Sequence, residues 1–149
     1  MVNAISIWEP WASFMRADMK RIETRSWPMP DNVKGKPLLI CAAKCWTKEQ
    51  MAIYDKLADM FPQSMPPRMH QGMAVALVRA IESKPTEDIT FDESFIMEEE
   101  LGDYSPSRWG WITEPIDLQF TPFSVRGSQG IYKVAVKQSL SMLKKVKPF

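Results

Sequence analysis

Among the charged side chains of the stretch "KRIETRSW", Lys20 to Trp27, three could act together: Lys20, Glu23 and Arg25. A carboxylate between two cations is held ionised by charge proximity. It can accept from the amino group of a nucleobase while a neighbouring cation meets a phosphate. The same trio also has hydrolytic chemistry within reach, with Glu23 as general base and Lys20 stabilising the charge that develops on a phosphate. The plain alternative is a surface cross-strand ion cluster, which contributes about 0–1 kcal/mol and needs no ligand.

A second constellation precedes it in "WEPW": Trp8, Glu9, Pro10 and Trp11. An exposed indole stacks on a base for roughly 1–3 kcal/mol, whereas the commonest place for Trp is in or against the core. Trp8 is expected at a cleft rim and Trp11 inward. Glu9 reads either as a helix N-terminal carboxylate favoured by the dipole or as an acceptor for a base edge. Trp27 either packs down the Pro-rich loop after it or stacks on a ligand. Trp109 and Trp111 share one strand face, which favours core for both, and Trp46 is placed as a helix-entry staple. Lys44, Arg126 and the "KKVK" of Lys144 to Lys147 are candidate phosphate contacts, although a short basic tail is as often only a solubilising end. In "RGSQG", Gly127 and Gly130 permit close backbone approach, and a tight turn is the simpler reading. His70 lacks an evident nucleophile beside it and is expected to be exposed and without a role.

The elements that would position these groups follow from pattern. Asn3 to Ile7 predicts a strand, and Pro10 opens a helix through Met19. Lys20 to Ser26 predicts a strand with Arg21, Glu23 and Arg25 on one face and Ile22 and Thr24 on the other. The Pro- and Gly-punctuated Trp27 to Pro37 is loop. Leu38 to Ala43 predicts a buried strand, and Thr47 with Gln50 forms a capping box for the next helix. Strands follow at Met73 to Ile81, around Pro115 and after Gly130, with a short helix over Ser139 to Lys145. Few alternations of strand and helix occur, so a doubly wound fold is disfavoured. A small, partly closed β-barrel carrying two or three helices fits best.

The 149 residues make one domain's worth of chain, with 45% hydrophobic and 25% charged residues, ordinary globular values that bring no need for staples. The longest apolar run, Leu38 to Ala43, is far short of a membrane span, and Glu9 and Pro10 interrupt any secretory leader. A cytoplasmic location is expected. Cys41 and Cys45 lie roughly 13 Å apart if the strand runs through both, too far for a disulfide without a turn. Two cysteines and the single His70 do not make a structural zinc site. No metal or cofactor is expected. From Glu82 to Asp103 nine acids face Lys84 alone, a balance of −8 that leaves +9 on the rest of a chain of net charge +1. A basic body suits a polyanionic ligand, and Glu87 to Asp103 reads as a solvated excursion.

In order along the chain, "AISIWEPWASFM", "KRIETRSW", "KGKPLLICAAK", "GMAVALVRAIES", "RWGWI" and "VRGSQGIYKV" resemble the motifs of an ASCH domain, named for activating signal cointegrator homology. The resemblance spans Ala4 to about Val136. It implies a PUA-like pseudobarrel of mixed, mainly β character (α+β). The whole chain, 1–149, would form one such domain, with its core over about 3–137 and a short helix and basic tail over 138–149. It further implies a cleft that binds RNA or a nucleotide-like ligand. Trp8, Glu9, Pro10 and Trp11 would form one wall, Lys20, Glu23 and Arg25 would face it, and Lys44 would close the strand nearby.

Some members of the family hydrolyse acetylated cytidine with a Lys and a Thr three positions later. Here Lys20 matches, but Glu23 stands at the Thr position and Thr24 is one residue on. Another branch cleaves single-stranded RNA. The expectation is thus a nucleic-acid-binding module, RNA before single-stranded DNA, acting as a monomer away from membranes. The alternatives are a hydrolase on RNA or modified nucleosides, with Lys20 and Glu23 catalytic, and a partner-binding domain.

Overall fold

In the computed structural model, residues 1–66, 69–91 and 96–136 are described. The helix and basic tail expected beyond residue 137 lie outside them. Seven strands form one mixed sheet: β1 (Val2–Ile7), β2 (Ile22–Arg25), β3 (Pro37–Ala42), β4 (Met73–Pro85), β5 (Trp109–Asp117), β6 (Phe123–Ser124) and β7 (Ile131–Val134). Among the described residues three α-helices accompany them: α1 (Trp11–Arg16), α2 (Lys48–Met60) and α3 (Ile96–Glu100), with a 3-10 turn at Thr86–Asp88. The strand order is β2-β5-β4-β3-β1-β7, with β6 paired to β4. Only β1 and β3 run parallel; every other pair is antiparallel. The order has two ends, β2 and β7, so the sheet is mixed and mainly β, as expected, but not closed into a barrel.

Alternation along the central strands explains why both faces are covered. Leu38, Ile40 and Ala42 of β3 join Ile5, Ile7, Met15 and Trp111 in one apolar cluster. Leu39 and Cys41 join Val2, Ala4 and Leu77 in a second cluster on the other face. A strand buried on both sides reads as a continuous apolar run, and each fully buried Leu or Ile contributes about 1.5–3 kcal/mol. A third cluster of Phe14, Leu57 and Leu101 ties α1, α2 and the residue after α3 together.

Local signals held where the partners are close in sequence. The capping box is formed: the Gln50 N–H donates to Thr47 Oγ1 (3.1 Å) and the Thr47 N–H to Gln50 Oε1 (2.8 Å). Helix α1 is shorter than its pattern, ending at Arg16 rather than Met19. Asp18 takes a left-handed φ of 57°, and the Met19 N–H reaches back to Phe14 O (2.9 Å), so the chain turns there. Trp46 does not staple the entry of α2 as expected; it lies edge-on to Tyr54 (6.4 Å between centroids) and stays partly exposed. The acidic segment is not simply a solvated excursion. It contains α3, and Glu98 and Leu101 are buried at 3% and 0% exposure. No helix of the described residues is long and apolar enough to cross a membrane.

Candidate functional site

The corner between β1 and α1 is fixed by one carboxylate. Glu9 is fully buried, and its Oε1 accepts from the Ser13 N–H (2.7 Å). Its Oε2 accepts from Ser13 Oγ (2.6 Å) and the His70 N–H (3.0 Å). The Glu9 carbonyl accepts from Gln50 Nε2 (2.8 Å). Glu9 thus caps the first turn of α1, where the amides and the dipole favour a carboxylate, and its oxygens are taken up by protein donors. Pro10 is buried beside it. His70 is half-buried rather than exposed, and it joins this corner through its backbone N–H.

With Glu9 turned inward, Trp8 is turned outward and is 47% exposed. Trp11 packs against two of the apolar clusters while one side reaches the surface cleft. Trp8, Trp11, Glu23, Thr24 and Arg25 line a cleft of about 620 Å³, closed opposite by α2 and by Glu100 to Asp103. A second basin of about 640 Å³ adjoins it, edged by Lys44 and Arg126 and floored by the turn through Gly130. Ser6, Trp8 and Arg25 border both.

Arg25 is held from several sides. Its guanidinium lies over the rings of Trp27 (5.4 Å) and Trp111 (5.7 Å), a cation–π arrangement. Its Nη1 is 3.6 Å from Glu23 Oε2. The two indoles meet edge to face at 4.9 Å, and Trp111 Nε1 donates to Trp27 O (3.0 Å). Trp27 therefore packs its loop down and supports Arg25, and it does not line the cleft. Trp111 is fully buried, and Trp109 packs on the same cluster.

Thr24 does not point away from Glu23's cleft as strict alternation predicts. β2 is an edge strand, and the chain after α3 crosses it, so the cleft wraps round the edge. Thr24 Oγ1 accepts from the Asp103 N–H (3.1 Å), and Arg108 Nη2 donates to Thr24 O (3.1 Å).

Lys20 sits behind the cleft wall rather than in it. It is 1% exposed; its Nζ donates to Leu101 O (2.8 Å) and to Ile22 O, and lies 3.9 Å from Glu23 Oε1. Burial holds its pKa below the ordinary lysine value, with the charges of Glu23 and Glu98 opposing that shift. Glu98 accepts from the backbone N–H of Arg21 and, at 3.1 Å, of Ile22. Burial raises its pKa, against the pull of Lys20 and of those two amides. The pair fastens the end of α3 to the start of β2 and so sets the position of Glu100 to Asp103 on the cleft.

The structure therefore brings Trp8, Trp11, Glu23 and Arg25 to one cleft and Lys44 to the adjoining basin, and it keeps Glu9, Pro10, Lys20 and Trp27 behind them. Sequence reasoning missed Lys56 and Arg108 in the cleft and the junction residue Ser6, whose Oγ lies 2.7 Å from Tyr132 Oη. Among the described residues, no three His, Cys, Asp or Glu side chains are grouped to hold a metal ion.

No protein-family model matches this chain, and no curated protein matches it. Among solved structures the chain is similar to a mutant of the ZmASCH protein from Zymomonas mobilis. That similarity stands at 10% identity and a TM-score of 0.48, over 96% of each chain.

Proposed function

We propose that this chain is an ASCH-type module that binds single-stranded RNA, or a nucleotide-sized piece of it, across the Trp8 ridge. The observation that carries the reading is Trp8 itself. A tryptophan 47% exposed between two open basins, beside an oriented arginine, suits a base that stacks and a backbone that is neutralised. Glu23 adds a specificity element: a half-buried carboxylate at the cleft, positioned to accept from a base amino or imino group. Single-stranded DNA has the same stacking faces and is the second ligand to try. In this reading the protein works as a cytoplasmic monomer, in keeping with its two free cysteines.

Six indole N–H signals provide the test. On titration with oligouridine, the Trp8 and Trp11 indole resonances should shift together and saturate, while that of buried Trp111 stays in place. Binding with Trp8 unmoved would put the ligand elsewhere and overturn the assignment. Loss of intact strand during the titration would favour a ribonuclease, and no shift at all would favour a partner-binding domain.

A further inference from the structure

The two basins that meet at Trp8 differ in charge. The cleft on the α2 side mixes Arg25, Lys56 and Arg108 with Glu23, Glu100 and Asp103. The adjoining basin presents Arg25, Lys44 and Arg126, with no carboxylate in its lining among the described residues. Neither Lys44 nor Arg126 has an acidic partner among the described residues.

The backbone adds to this. Among the described residues, no hydrogen bond is formed by the N–H groups of Arg126 to Gln129. Gly130 has a φ of +66°, and a Cβ on Gly127 would lie 3.1 Å from Ser6 Oγ, so the turn passes close over the basin floor. Gly72 has a φ of +78°, and a Cβ there would press on the Lys44 stem at 3.1 Å, so its bare backbone leaves room for that side chain. Backbone amides turned toward a cluster of cations add to a concavity that favours anions.

Resting on the RNA-binding reading, we infer a division of labour across the Trp8 ridge. The basin of Lys44, Arg126 and the 126–130 turn takes the phosphates of the strand, and the mixed-charge cleft at Glu23 takes the base. A phosphodiester bears one negative charge and needs only donors, which the Lys44 and Arg126 basin supplies. A base edge presents donors as well as acceptors, and the cleft at Glu23 offers carboxylates to it.

Salt dependence separates the two halves. For single strands, log K falls with log salt at a slope near −0.7 per phosphate neutralised. Anisotropy titrations of end-labelled oligouridine over a range of salt should show Lys44→Ala/Arg126→Ala with a slope shallower than wild type by roughly 1.4, and each single variant by roughly 0.7. Removing the same charge from the exposed pair Lys34→Ala/Lys36→Ala, outside both basins, should leave the slope in place. An unchanged slope in the groove variant, or an equal change in the control, would overturn the division of labour while leaving RNA binding standing. Wild-type protein that does not bind the RNA at all would instead remove the functional reading beneath it.

Discussion

Truncating Glu98 to alanine should loosen the wall of the cleft from a distance. Its carboxylate is buried at 3% exposure and receives the backbone N–H groups of Arg21 and Ile22. A hydrogen bond to a charged acceptor contributes about 1.5–3 kcal/mol net. Two are lost in Glu98→Ala, and Lys20 keeps only Glu23 as its nearby counter-charge. Against this, the variant no longer desolvates a carboxylate, which offsets about 1–2 kcal/mol of that loss. The expected net loss is about 2–4 kcal/mol, a drop in Tm of roughly 5–15 °C for a chain of this size.

Far-UV circular dichroism melts and urea unfolding measure it, with Glu99→Ala, on the exposed side of α3, expected within about 0.5 kcal/mol of wild type. A double-mutant cycle of Glu98→Gln with Lys20→Met should show a coupling of about 1 kcal/mol or more. Titration gives a separate sign. Burial raises the Glu98 pKa above 4.5, so the folded state holds that proton more tightly than the unfolded state. The associated stability is fully present below the unfolded value and is lost as pH rises through the folded one. Glu98→Gln cannot lose it, so its stability relative to wild type should improve as pH rises across that window. Glu98→Ala within about 0.5 kcal/mol of wild type, with no coupling to Lys20, would refute the fastening of α3 to β2.

Other outcomes follow from the same geometry. Trp8→Ala should weaken RNA binding about 5- to 150-fold, the equivalent of 1–3 kcal/mol of stacking, and leave the urea midpoint unmoved, because the indole is 47% exposed. Glu9→Ala should do the reverse, costing about 2 kcal/mol or more of stability through the donors it strands; a ligand-specific defect at full stability would return Glu9 to the cleft. Burial pushes the Cys41 thiol up to about 11, so iodoacetamide at pH 8 should label Cys45 first, and equal labelling of both by mass spectrometry would contradict the buried placement.

What the sequence disclosed and what it hid divide by distance along the chain. The Thr47–Gln50 capping box, the buried run of β3 and the outward Trp8 are local consequences of residue type and spacing, and all were legible. Lys20 looked like one more surface cation in a charged strand. Its burial depends on Leu101, 81 residues away, and the Glu98 that accompanies it grips a backbone 77 residues distant. Nothing in the spacing of Lys20 to Arg25 carries that information. Thr24 shows a related limit: alternation assigns faces within a strand, but not which face a crossing segment will cover. Arg108 is brought to the cleft by the β2–β5 register, which the Trp-rich pattern of β5 did not fix.

The most direct measurement is the anisotropy of an end-labelled oligouridine as wild-type protein is added at low salt, with the strand checked on a denaturing gel afterwards. The account predicts a saturable rise that salt reverses, over an intact strand, and a weaker rise with Trp8→Ala. A flat trace with wild type, or a rise that Trp8→Ala does not diminish, would contradict it.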